Sequence, residues 1–151
     1  MPAASPVLLR KGSWKQNMRA EEIRFLLEKA EEARKGSYSP YSRYPVGAAV
    51  LTEDGRVFEG CNMENVSYPA SLCAERNAIG SAVTAGERAF RAIAIIGSRD
   101  DYTMPCGICR QVMAEFHVPL IICGKSMEDY RLFTLDELFP SAFQEEGLKK
   151  Q

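Results

Sequence analysis

Phe90-Arg91-Ala92-Ile93-Ala94-Ile95-Ile96 is a short, nearly unbroken apolar run. Successive side chains of a strand point to opposite faces, so a run apolar at both parities belongs to a strand covered on both sides. Leu120 to Cys123 reads the same way, and Tyr130 to Phe133 as one further strand. Between and before these runs the period changes to that of helices. Leu72 to Ala85 is closed by Gly86, and Cys106 to Phe116 fills the gap between the two buried strands. Further toward the N-terminus, Val46 to Leu51 and Arg56 to Cys61 form a hairpin across Glu53-Asp54-Gly55, after a turn at Ser39-Pro40-Tyr41. Ile23, Leu26, Leu27, Ala30 and Ala33 repeat at three and four residues, marking a helix from Ala20 that Gly36 stops. Thr134-Leu135-Asp136-Glu137 has capping-box spacing and starts a short helix ended by Pro140.

The resulting order, α-β-β-α-β-α-β-β-α, predicts an α/β chain. We expect a three-layer α/β/α sandwich around one mixed, roughly five-stranded sheet. That sheet is antiparallel at its first hairpin and otherwise crossed by helices. Residues 1–19 carry Arg10, Lys11, Lys15 and Arg19 without an acid, are interrupted by Pro2, Pro6 and Gly12, and read as a flexible tail. The single tryptophan, Trp14, lies in it. Residues 20–151 then form one domain, consistent with a length of 151 residues.

Composition narrows the partners. A formal net charge of -1 offers no basic footprint for a nucleic-acid polymer, which points to a small substrate. No apolar run approaches the roughly 20 residues needed to cross a bilayer. Five cysteines cannot all pair within one chain, and no signal peptide is visible. The expectation is a cytoplasmic protein whose thiols serve metal or redox chemistry.

Cys73-Ala74-Glu75-Arg76 and Pro105-Cys106-Gly107-Ile108-Cys109-Arg110-Gln111 each sit where a loop enters a predicted helix. Cys106 and Cys109, three apart at a helix start, can aim both sulfurs at one point, and Cys73 can bring a third. Three protein ligands leave the fourth tetrahedral position open, the arrangement of a catalytic zinc rather than a closed structural one. Cys61 and Cys123 lie in apolar strand surroundings and read as small buried hydrophobes. His117, the only histidine, reads as a surface or capping residue. Three thiolates on Zn²⁺ leave a net negative cluster, so positive partners are needed. The two helix N-termini provide them, and Arg76 and Gln111 can donate to sulfur. Glu75, two residues after a ligand, can reach water at the metal without binding the metal, and can carry a proton from it.

The frame C-A-E with P-C-x-x-C matches the zinc base deaminases, with cysteine in place of histidine as first ligand. From Ser37 to Phe143 the chain resembles the small homotetrameric cytidine deaminases. Besides the zinc fragments, the resemblance rests on Tyr41-Ser42-Arg43-Tyr44-Pro45-Val46-Gly47-Ala48-Ala49, Gly60-Cys61-Asn62-Met63-Glu64-Asn65 and Leu138-Phe139-Pro140-Ser141-Ala142-Phe143. It implies one Zn²⁺ per subunit, and hydrolysis of cytidine and deoxycytidine to the uracil nucleosides with release of ammonia, in pyrimidine salvage. It also implies that Asn62 and Glu64 hydrogen-bond the sugar, within a substrate-binding stretch that includes Met63 and Asn65. By the same resemblance, Tyr44 is the aromatic that packs on the pyrimidine, where the family commonly has phenylalanine. The resemblance further implies that Val66, Ser67 and Tyr68 approach the sugar from one neighbouring subunit and that Phe143 closes over the base from another. Val66 is bulkier than the alanine expected at its position.

Three rival readings share parts of the frame. A polynucleotide-editing deaminase needs basic, aromatic loops that the core lacks. A deaminase of nucleoside antibiotics is opposed by the Asn62/Glu64 pair, which suits an ordinary sugar. A non-enzymatic zinc module is opposed by Glu75 and the open fourth position.

Overall fold

The computed structural model describes residues 18–149. The tail residues 1–17, Trp14 among them, therefore lie outside the described residues. Eleven of the fifteen residues of helix α1, Ala20–Arg34, are the strong helix formers Ala, Glu, Leu or Lys, and its buried residues are Ile23, Leu26, Leu27 and Ala30. Strands β1 (Gly47–Thr52) and β2 (Val57–Cys61) pair antiparallel around a turn in which Gly55 takes φ +90. A loop with one short helical turn at Tyr68–Ala70 leads into helix α2, Ala74–Thr84, which Gly86 leaves at φ +97. Then follow β3 (Phe90–Ile96), α3 (Gly107–Glu115), β4 (Leu120–Gly124) and β5 (Tyr130–Thr134). The short helix α4 (Leu135–Leu138) begins with the capping box of Thr134 and Glu137, and α5 spans Glu145–Lys149. Helix α5 was not evident in the sequence; a five-residue polar helix has no apolar periodicity to betray it.

The strands form one mixed sheet in the order β2-β1-β3-β4-β5. β3 lies antiparallel to β1 and parallel to β4. Helices make the β2-to-β3 and β3-to-β4 connections, whereas β4 and β5 form a second antiparallel hairpin. The expectation of helix crossings beyond the first hairpin is corrected there: residues 125–129 are too few to hold a helix between strands.

The two parities of the central strands separate into two cores. Ala48, Val50, Ile93, Ile95, Ile121 and Cys123 face Ala78, Ile79 and Ala82 of α2 and Met113 of α3. Ala49, Leu51, Ala92, Ala94, Ile96, Leu120 and Ile122 face the apolar stripe of α1. This is the three-layer α/β/α sandwich, and it explains why β3 is apolar at every position but Arg91. Among the described residues no helix is long and apolar enough to cross a membrane.

Candidate metal centre and active site

β2 and β3 run parallel to each other with β1 between them, so both end on the same side of the sheet. Loops leaving those ends deliver the starts of α2 and α3, the place where open α/β sheets commonly carry their sites. Cys73 is the N-cap of α2 and Cys106 the N-cap of α3, both extended in backbone, while Cys109 lies in the first turn of α3. The three Sγ atoms lie within 4.8 Å of one another. Cys73 and Cys106 sulfurs are 3.7 Å apart, close to the roughly 3.8 Å between two thiolates that are each about 2.3 Å from one tetrahedral ion.

The charges also call for a cation. Cys73 is held down at about 5 by the hydrogen bond from the Cys109 thiol, with further help from Arg76 and Cys106. Cys109, donating to that sulfur and buried beside it, is pushed well above its ordinary range. The cluster thus accepts one negative charge and resists a second; a dication removes that resistance and permits all three thiolates. The donor set fits zinc. Arg76 Nη2 donates to Cys73 Sγ at 3.4 Å, and its buried Nε has no hydrogen-bond partner among the described residues. The Cys109 N–H donates to Cys106 Sγ at 3.5 Å, so the first turn of α3 also serves a sulfur.

Glu75, in the first turn of α2, is only 4% exposed. Burial raises its carboxyl to about 7; the neighbouring Cys73 thiolate adds to the rise, while Arg76 and Cys109 oppose it. An acid poised near neutrality beside three metal-binding sulfurs can both accept and return a proton.

Gln111 is a correction to the sequence reading. Its Nε2 donates to the Phe143 carbonyl at 2.8 Å and so ties the C-terminal segment to α3 instead of serving a sulfur. Cys123 is fully buried and its thiol is raised to about 12, chiefly by burial. Cys61 is half-buried, and His117 is exposed at φ 50 just beyond α3.

The remaining predicted residues gather on the segments that flank these helix starts. Asn62 is a brace: its Oδ1 accepts from the Val46 N–H at 2.9 Å and from the Ser37 hydroxyl, and its Nδ2 donates to the Tyr44 carbonyl at 2.9 Å. One amide hydrogen is left over among the described residues. Glu64 Oε1 accepts from the Tyr41 and Ser42 N–H groups at 2.9 and 3.0 Å, and Oε2 accepts from the Ser42 hydroxyl. These bonds, that from the Ser42 hydroxyl above all, lower the Glu64 carboxyl below its usual value. Tyr41, Ser42, Glu64, Tyr68 and Ser71 line a cavity of about 350 Å³, within the size range of small-molecule pockets.

Met63 and Leu72 exchange N–H···O bonds of 2.9 and 2.8 Å, closing a loop with Val66, Ser67 and Tyr68 at its tip. Asn65 Oδ1 accepts from the Ser67 N–H at 2.8 Å and shapes that tip. Val66 is 79% exposed, Tyr68 70% and Phe143 63%. Tyr44 is also exposed, and its hydroxyl is bonded within the chain, to Thr103 at 2.9 Å and by the Ser98 N–H at 3.1 Å. Sequence reading missed Ser42, the chief partner of Glu64, and Thr103, the partner of Tyr44. Ser42 stands inside a quoted motif where its hydroxyl signals a local turn. Thr103 lies in an irregular loop and carries no local signal at all.

Comparison with known proteins agrees with this geometry. Residues 20–125 match the family model described as the cytidine and deoxycytidylate deaminase zinc-binding region. A cytidine deaminase of Sporosarcina psychrophila is 41% identical over 135 residues, covering 84% of this chain and 95% of its own. One from Halalkalibacterium halodurans is 44% identical over 126 residues, covering 82% and 95%. The crystal structure of cytidine deaminase from Burkholderia pseudomallei superposes with a TM-score of 0.74 at 46% identity, over 79% of this chain and 97% of that one. The Mycobacterium tuberculosis cytidine deaminase structure gives 0.68 at 42% identity, over 79% and 94%. Three thiols converging at two helix starts, beside a buried acid, are thus found in a chain that belongs to the cytidine and deoxycytidylate deaminase family.

Proposed function

We propose that this protein is a zinc-dependent hydrolase that deaminates cytidine and deoxycytidine to uridine and deoxyuridine, releasing ammonia. The observation that carries the reading is Glu75, buried and near-neutral in acidity, next to three sulfurs that lie within 4.8 Å of one another. Cys73, Cys106 and Cys109 would hold one Zn²⁺ per subunit, with Arg76 and the helix ends balancing their charge. When bound, zinc supplies a Lewis acid that makes water nucleophilic near neutral pH. Glu75 takes a proton from the attacking water and passes it to ring N3, which makes C4 more electrophilic. After water adds at C4, Glu75 carries the second proton to the departing amino group, so ammonia leaves and a carbonyl remains.

Glu64 has an acceptor position in hand for a sugar diol, since a carboxylate offers about four and three are used. Asn62, with one free amide hydrogen, is left with a smaller direct part. Tyr44 presents its ring to the pyrimidine. Residues 20–151 act as one deaminase domain, and the tail 1–19 takes no part in the chemistry. A homotetramer in which Val66, Ser67, Tyr68 and Phe143 complete neighbouring pockets is supported by the exposure of the apolar members of that set in a single chain. A cytoplasmic salvage role fits five unpaired cysteines, three of which must stay reduced to hold metal.

The test is the fall in absorbance near the cytosine band, with ammonia release, when zinc-loaded protein meets cytidine or deoxycytidine. A cytosine-bearing oligonucleotide is the control. Absence of turnover of either free nucleoside would overturn the proposal, and faster turnover of the oligonucleotide would replace its substrate class.

A further inference from the structure

Tyr44 is fastened at both ends. Its N–H donates to the Ser42 hydroxyl at 3.0 Å, and its carbonyl accepts from Asn62 at 2.9 Å. It also precedes Pro45, which confines its backbone to extended conformations. None of this fixes the ring, which is 41% exposed and could turn about its side-chain bonds. The phenol end supplies the missing constraint, through Thr103 Oγ1 at 2.9 Å and the Ser98 N–H at 3.1 Å. Thr103 is buried, at 9% exposure, and Tyr44 is the partner its hydroxyl has; leaving a buried hydroxyl unpaired is costly. Gly97 makes the contact sterically feasible. A Cβ there would sit 2.4 Å from Thr103 Oγ1 and 2.8 Å from Tyr44 Cε1.

We infer that Thr103 is a positioning residue: through the Tyr44 phenol it holds the aromatic ring against the loop that delivers Cys106, and so sets affinity for the nucleoside base. The inference rests on the reading of Tyr44 as the ring that meets the pyrimidine. With two of its three hydrogen-bonding positions taken by protein groups, the phenol serves chiefly to orient the ring face. Thr103 thereby influences KM while standing three residues before the nearest metal ligand. The pairing also gives a physical reason for tyrosine at this position: the hydroxyl and its partner in the 97–105 loop form one unit.

The experiment is a double-mutant cycle on zinc-loaded protein with Thr103→Val, Thr103→Ser, Tyr44→Phe and the Tyr44→Phe/Thr103→Val pair. Turnover of cytidine, bound zinc and thermal unfolding are measured for each. Thr103→Val should raise KM about fivefold, the worth of one ordinary hydrogen bond, with kcat within about twofold and zinc content unchanged. Thr103→Ser should restore KM to within about twofold of wild type. In the Tyr44→Phe background, Thr103→Val should add nothing further, because the phenol it serves is gone. An unchanged KM in Thr103→Val, the same rise in both backgrounds, or no rescue by serine would each overturn the inference. A wild-type protein that fails to turn over cytidine would overturn the deaminase reading and this inference together. Normal wild-type turnover with additive variants would overturn this inference alone.

Discussion

Gly60 is the position at which a single methyl group should uncouple the fold from the metal centre. It lies in β2 opposite Ala48, under the first turns of α2. A Cβ placed there falls 2.3 Å from the Ala78 nitrogen, 2.6 Å from the Ala74 carbonyl oxygen and 2.9 Å from Ala78 Cα. Ordinary contact is about 3.5 Å, so α2 must withdraw by about 1 Å. All three obstacles are backbone, and no rotamer change can relieve them. The helix that must move carries Cys73 and Glu75, whereas Cys106 and Cys109 are anchored on α3. Gly60→Ala should therefore open the 3.7 Å approach of the Cys73 and Cys106 sulfurs and displace the acid. Overpacking of this kind costs about 1–3 kcal/mol, which lowers Tm by roughly 3–10 °C in a domain of this size. A misplacement of about 1 Å costs on the order of 100-fold in turnover. Thermal unfolding, zinc stoichiometry and steady-state deamination read the three effects. Gly80→Ala is the control on the same helix, because its Cβ meets nothing within 4 Å. It should gain about 0.5–1 kcal/mol from helix propensity. A Gly60→Ala protein with Tm within about 1 °C of wild type and undiminished turnover would refute the claim that this close approach sets the position of α2.

Other outcomes follow from the same geometry. Glu75→Gln should keep its zinc and lose about 10²–10⁴-fold in kcat, the contribution typical of a general acid–base group; near-normal turnover would remove Glu75 from the proton path. Arg76→Ala should weaken zinc binding about 10–100-fold, as loss of a partner that supports a metal ligand commonly does, measured by competition with a chromophoric chelator. Unchanged affinity would show that the helix ends alone balance the sulfurs. Chelation should abolish turnover and lower Tm, with both restored by added Zn²⁺; activity that survives metal depletion would exclude the Cys73, Cys106 and Cys109 centre as the source of the reaction.

The sheet could be read from the sequence because burial on two faces leaves a mark at every residue. Phe90 to Ile96 contains one charged position, and both parities of the run meet a helix layer. The Thr134 capping box and the glycines in the hairpin turn and after α2 were visible for a related reason: they are local chemistry, complete within four residues. The cysteines and Glu75 were legible through spacing: i and i+3 at one helix start bring two sulfurs together before any tertiary contact forms, and an acid two residues after a cysteine marks the other helix start.

Contacts between distant irregular segments left no such mark. The spacing of Gln111 from the cysteines allowed it to face sulfur, but the path of the chain after α4 brings the Phe143 carbonyl to it instead. Ser42 meets Glu64 across 22 residues, and Thr103 meets Tyr44 across 59. By itself the sequence determined the layers, the two helix starts and the identity of the metal-binding atoms, because each depends on periodicity or on neighbours along the chain. Only the tertiary structure decided which hydroxyls and amides steady the residues proposed to meet the nucleoside. Those pairings depend on where two loops without periodicity come to rest, and their position is set by the packing of the whole sandwich beneath them.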